Sequence, residues 1–214
     1  MTIHSFFAIV YDFKCSKGIK MKKNRPKYNQ IIDAAVEVIA ENGYHSSQVS
    51  KIAKKAGVAD GTIYLYFKNK EDILVSLFQE KMGEFISSIE DEIKTKSNAK
   101  QKLLTLIEMH YSQLTKNHHL AIVTQLELRQ SNKELRLMIN DVLKPYLELI
   151  DQIVQEGMDE NLFDSSLDLR IIRQMIFGTL DETVTNWVMN DQKYDLMKKA
   201  KEIHELFING LAQK

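Results

Sequence analysis

Residues 48–74 read QVSKIAKKAGVADGTIYLYFKNKEDIL, and Gly57 divides them into two short helical runs. With Gly57 at the turn of a helix-turn-helix, Ile52, Ala53, Ala56, Val58 and Ile63 fall on inward positions. Ala53 is small where the two helices cross, and Gly57 supplies the unusual dihedral of the turn. Tyr66 and Phe67 continue the inner edge of the second helix. A helical hairpin without a partner would show the same inward pattern, so the outward residues have to decide. Ala59, Asp60, Gly61 and Thr62 open the second helix with nothing long enough to obstruct a groove, and recognition helices present their N-terminal residues to base edges. Tyr64 can reach a phosphate through its hydroxyl, and Lys68 and Lys70 suit further phosphates. Gln48 and Ser50, at the start of the first helix of the pair, and Tyr66 complete the expected DNA-contacting set.

Working outward, residues 28–42 place Ile31, Ile32, Ala35, Val36 and Ile39 on one helix face, with Pro26 before it and Gly43 as its C-terminal stop. Ser47 or Ser50 is expected to cap the next segment, and Asn69 to cap a long helix that opens with Glu71 and Asp72. The apolar positions of that helix, from Ile73 and Leu74 to Ile89 and Ile93, keep a period near 3.6. Further helices are expected at about 100–116, 118–131, 133–158, 167–190 and 194–212, and no strand pattern occurs. The fold class is therefore all-α: three short helices, a long connector, and five mostly longer helices.

Composition agrees. Two prolines and eight glycines in 214 residues leave helices uninterrupted, and a 44% apolar share is ordinary for a globular chain. A single cysteine, Cys15, excludes an internal disulfide and a thiolate metal cluster, pointing to a reducing cytoplasm. Net charge is zero, yet residues 14–70 hold twelve Lys/Arg against four Asp/Glu, and residues 71–214 hold seventeen against twenty-four. A basic front on an acidic remainder fits a polyanion partner at one end only.

Residues 1–20 depart from this plan. Their apolar run is too short to span a membrane and lacks a small-residue cleavage site. Codons for Lys17-Gly18 can spell a purine-rich ribosome-binding sequence, so Met21 is read as the natural start and 1–20 as a non-native or disordered extension.

The stretch 48–74, down to its Tyr-x-Tyr-Phe-Lys-x-Lys ending, resembles the N-terminal domain of TetR-family transcriptional regulators. The resemblance implies a TetR-like fold, with a three-helix DNA-binding domain at 21–70 and a helical-bundle effector-binding and dimerisation domain at 71–214. Members often carry Ser then Lys where this chain has Ala59 then Asp60, so one customary phosphate cation is missing. Asp60 can accept from a cytosine amino group or cap the recognition helix. LAIVTQLELRQSN (120–132) and RQMIFGTLDETVTNWVMNDQKYDL (173–196) are similar to Bacillus-type fatty-acid-degradation repressors, which implies a repressor released from operator DNA by long-chain acyl-CoA. A free fatty acid or another lipophilic ligand is the alternative effector.

The sequence has room for such a ligand. Leu106, His110 and Leu114, with Tyr146 and Ile150, and with Phe85, Ile89, Val123, Leu126 and Phe177, can line an apolar tunnel between helices or simply fill one another. Arg129, with Lys133 and Arg136 near it in the chain, suits the phosphates of a CoA group, surface ion pairing being the competing role. A homodimer is expected through the last two helices, where Met175, Gly178, Thr179 and Trp187, with Leu206 and Phe207, extend an apolar stripe too wide for one core face. Enzyme chemistry finds no support: there is no nucleophile–base spacing, phosphate-binding glycine loop or metal motif, and Glu127, Asp181 and Glu182 are the only candidates for buried carboxylates. No catalytic residue, cofactor, metal ligand or membrane contact is expected. His118-His119 point about 100° apart on a helix, so they read as a polar helix start. A helical adaptor without DNA affinity is the remaining rival.

Overall fold

The computed structural model describes residues 25–212. The expectation for residues 1–20 lies outside the described residues. Nine α-helices occupy the described part: α1 (Arg25–Asn42), α2 (Val49–Lys55), α3 (Asp60–Ile63), α4 (Lys70–Ile93), α5 (Ala99–Lys116), α6 (His118–Glu127), α7 (Lys133–Asp159), α8 (Leu169–Met189) and α9 (Lys199–Leu211), with a 3₁₀ turn at Leu196–Lys198. The expected elements are present, with ends shifted by a few residues.

Most starts follow from a short polar side chain placed one residue before the helix. Asn69, Asn98, Asn117 and Asn132 accept from the N–H of Asp72, Gln101, Leu120 and Leu135 at 2.8–3.1 Å, and Asp168 does the same for α8. Each such cap is worth about 1 kcal/mol. The cap expected for α2 is different. Gln48 holds the cap position without a side-chain bond, while the Ser47 hydroxyl turns inward to donate to the carbonyls of Val38 and Gly43. Ser50 lies inside α2 and is exposed. Ser47 is buried, and its inward bonds join the start of α2 to the end of α1.

Helix α1 ends at Gly43 and the α2–α3 turn is made at Gly57, with φ of +73° and +62°, where a side chain would be strained. Helices α1–α3 form a compact head around Ile31, Ile52, Ala53, Ile63 and Phe67. The Phe67 ring stacks on Tyr28 with centroids 5.2 Å apart. Helix α4 leaves the head and enters the body, where it packs on α5 and α7, while α6 and α4 both touch α1 and so seat the head. Behind them, α8 packs on α6 and α7, and α9 on α5. After α7 the chain doubles back over Gly157. A Cβ there would lie 2.1 Å from the Phe163 ring, so only glycine permits the crossing. No described helix is long and apolar enough to cross a membrane.

Candidate functional site

The head presents one continuous outer surface from the start of α2 to the start of α4. Gln48 and Ser50 are exposed on α2, and Ala59, Asp60 and Gly61 are exposed at the opening of α3, with Thr62 half-buried behind them. Helix α3 is a single turn, and its cap position is Ala59, with no side-chain bond. Asp60 is therefore not the cap, and its carboxylate stays at the surface, open to a donor. Tyr64 is 58% exposed just past α3, and Tyr66 is half-buried with its ring 6.4 Å from Tyr28. Two rings thus anchor the element and one remains outside. Lys68 is exposed; its backbone N–H donates to Asp72, leaving the ammonium free of that contact.

Lys70 departs from expectation. Its ammonium donates to the His45 carbonyl at 2.9 Å and lies 4.5 Å over the Tyr44 ring. Through this exposed bond it ties the α1–α2 loop to the start of α4. Two surface residues escaped the sequence reading. Leu65 is 64% exposed beside Tyr64, and an apolar side chain there carries no periodic signal because α3 is too short to set a phase. Lys54, on the outer face of α2, is exposed too.

The second feature is a narrow cavity in the body, about 60 Å³ open to a water-sized sphere, between α4, α5, α6, α7 and α8. Its lining includes Phe78, Met82 and Phe85 from α4, His110 and Leu114 from α5, Leu120 and Leu128 from α6 with its C-terminal flank, Ile139, Val142, Leu143 and Tyr146 from α7, and Phe177 from α8. Five expected residues therefore meet around one space: Phe85, His110, Leu114, Tyr146 and Phe177. Ile89, Leu106, Val123 and Ile150 are fully buried but face neighbouring helices, where they fill the core. Leu126 is half-exposed and points away, since α6 presents Leu120, Thr124, Gln125 and Leu128 to the cavity. Helix phase decides these cases, and a run with apolar residues on two faces does not reveal it.

Few polar atoms enter this space. Nδ1 of His110 and the Tyr146 hydroxyl are hydrogen-bonded at 2.8 Å, and Nε2 of His110 has no protein partner. Burial holds the imidazole neutral by pushing its pKa down to about 4, and pushes the Tyr146 phenol well up. Asp181 lies at one wall, buried and ion-paired with Arg129, and the Gln125 amide, with its nitrogen toward the carboxylate, donates to Asp181 at 3.1 Å. Arg129 reaches the cavity through that carboxylate, while Arg136 donates to the carbonyls of Gln130 and Ser131 in the loop between α6 and α7. Lys81, which sequence reasoning passed over, also lines the cavity. Among the described residues no group of His, Cys, Asp and Glu is placed to hold a metal ion.

The expected dimer residues divide. Trp187 and Phe207 are buried within the chain, and the Trp187 indole donates to the Tyr194 carbonyl at 2.8 Å, so both belong to the core. Met175, Gly178 and Leu206 stand outside, Leu206 at 71% exposure with Ile171 at 63%, and Thr179 is half-buried beside them.

A basic helix-turn-helix head, joined by one continuous helix to a helical bundle, is the arrangement of a DNA-binding regulator. The chain belongs to the TetR family of bacterial regulatory proteins: residues 31–77 match that family's N-terminal region and residues 78–210 match the C-terminal region of YsiA-like proteins. It is 65% identical over 194 residues to the fatty acid metabolism regulator protein of Bacillus subtilis, an alignment covering 91% of this chain and all of that one. It superposes with a TM-score of 0.84 on the crystal structure of the regulator FadR from Bacillus subtilis in complex with stearoyl-CoA, at 65% identity over 86% of this chain and 99% of that one. The fatty acid degradation regulator FadR from Bacillus halodurans gives the same TM-score at 62% identity over 86% and 99%. These relatives are regulators, and the chain is a transcriptional regulator rather than an enzyme.

Proposed function

We propose that this chain is a dimeric repressor of fatty-acid degradation genes that binds double-stranded operator DNA through its head and is released by long-chain acyl-CoA. The observation that carries the reading is the apolar cavity, built partly by α4, the helix that begins beside the DNA-contacting surface. Its lining of Phe, Leu, Ile, Val and Met side chains suits an alkyl chain. The stearoyl-CoA found in the Bacillus subtilis relative supports the ligand class. The chain then divides into a DNA-binding domain at 21–70 and an effector and dimerisation domain at 71–214. The exposed apolar residues Ile171, Met175 and Leu206, with Gly178 and Thr179 allowing close approach, form the symmetric contact. A regulator of this kind works in the cytoplasm, beside its operator.

A tilt of α4 moves the two heads of the dimer relative to each other. Paired recognition elements need a spacing of one DNA turn, about 34–36 Å, or a multiple of it. Ligand releases DNA by binding the wrongly spaced state more tightly, and about 2.7 kcal/mol of coupling changes affinity about a hundredfold. The test is a titration of stearoyl-CoA into the protein with and without a duplex from upstream of fatty-acid degradation genes. Weaker stearoyl-CoA binding in the presence of bound duplex is expected, by reciprocity. Equal affinities would refute release by this ligand, and release by stearate but not stearoyl-CoA would identify the free acid as effector.

A further inference from the structure

Lys81 occupies two places at once. Its side chain lines the cavity beside Met82 and Phe85, and its ammonium meets the Asp33 carboxylate of α1 at 2.7 Å, across the junction between head and body. Only 19% of the Lys81 side chain is exposed, against 62% for Asp33. Glu84, at 4.0 Å, is the other anion near it. A lysine on an otherwise apolar wall has its charge satisfied, for the most part, by a residue of the other domain. The head has a second tie, on its α6 side: the Tyr44 N–H donates at 2.8 Å to Glu127, whose carboxylate is braced at 2.8 Å by the Gln130 amide. The Glu127 tie joins backbone to side chain and is partly buried, whereas Asp33 faces water. Of the two, the Lys81–Asp33 pair is the one a soluble anion can exchange.

We propose that Lys81 is the anion-reading residue of the cavity and that its pair with Asp33 is a latch: a phosphate of the ligand's head group takes the ammonium, and Asp33 is let go. The inference rests on the acyl-CoA reading given above. An exposed carboxylate gains little from its lysine, because water screens the pair, whereas a phosphate offers more charge and more acceptor oxygens. The acyl chain, buried beside the Lys81 stem, holds that phosphate close, so the exchange is intramolecular once the chain is in place. Opening the latch removes one tie between α1 and α4, where Tyr28 still meets Ser76 and Glu80, and so loosens the α4 side of the head while Glu127 still holds Tyr44. The ligand thereby gains a contact in the released state that the latched state denies it, which is the differential affinity a switch requires.

Two substitutions separate this role from a purely structural one by the sign of their effects on full-length, DNA-free protein. Lys81→Met keeps the stem and removes the charge, and stearoyl-CoA should bind about tenfold more weakly, the usual worth of a hydrogen bond to a charged group. Asp33→Asn leaves Lys81 unclaimed, and stearoyl-CoA should bind about two- to fivefold more tightly. Lys81→Arg should retain binding, which guards against a trivial packing defect. Stearate, which has no phosphate, should bind Lys81→Met within about twofold of wild type. Shifts of the same sign in Lys81→Met and Asp33→Asn, or no shift in either, would overturn the latch while leaving the acyl-CoA reading intact. An equal loss of stearate and stearoyl-CoA affinity in Lys81→Met would overturn phosphate recognition. Failure of the wild-type protein to bind stearoyl-CoA at all would overturn both the ligand assignment and the latch.

Discussion

In the head, Ile31, Ile52, Ile63 and Phe67 are at most 1% exposed. In the body, Phe85, His110, Tyr146 and Phe177 come from four helices and leave space between them. Both regions are helical and both are rich in aliphatic side chains, so composition does not separate them. The difference is what each surface is for. The head must hold an external face rigid, and dense packing does that, since interiors at crystal-like density transmit strain instead of absorbing it. The body instead leaves a cavity between its helices and forgoes the packing contacts that would fill it.

The largest effect is expected of Phe67→Ala. Removing a fully buried ring that stacks on Tyr28 should cost about 3–5 kcal/mol, all of it in the head. Operator binding should be lost, while stearoyl-CoA binding to the body survives. Limited proteolysis should then cut within residues 25–69 first. Loss of both activities together would mean that head and body unfold as one cooperative unit.

A smaller effect marks the body. His110 is held at a pKa of about 4 by burial, below its ordinary value near 6.5. Between those values the unfolded chain takes up a proton that the folded chain refuses. Stability is therefore fully present above about pH 6.5 and falls as pH drops through the window, by about 2 kcal/mol between pH 7 and pH 5. Urea unfolding at the two pH values should show that loss, and His110→Phe should reduce it by about the same amount. An unchanged pH dependence in the variant would mean that His110 takes up its proton while folded.

The sequence made the head more legible than the body, for a physical reason. A helix-turn-helix allows few residue types at Ala53, Gly57 and Ile63, so its constraints are written within a short window. The Asn69 cap made the start of α4 readable in the same local way, and Ser47 misled because its hydroxyl had a better partner in α1. The cavity is assembled from five helices far apart in the chain. Each contributes a face whose rotation is set by its neighbours, so Ile89, Val123 and Ile150 were indistinguishable from lining residues. Lys81 was invisible for another reason. A lysine among Glu80, Met82 and Glu84 reads as solvated surface until Asp33 is found beside it.

The smallest effects test where fold ends and interface begins, at two lysines two residues apart. Lys68 is exposed, whereas Lys70 spends its ammonium on the His45 carbonyl and the Tyr44 ring. Lys68→Ala should weaken binding to every duplex alike and lower the slope of log affinity against log salt by about one, because one phosphate contact and its released counterion are lost. Its thermal stability should stay within about 0.5 kcal/mol of wild type. Lys70→Ala should do the reverse, costing the head about 1 kcal/mol while leaving the salt slope unchanged. Fluorescence anisotropy across a salt series, with melting curves on the same samples, measures both quantities. A Lys70→Ala protein with a reduced slope and unchanged stability would show that Lys70 abandons His45 when DNA arrives, and the interface would then extend across the start of α4 to the Asn69 cap.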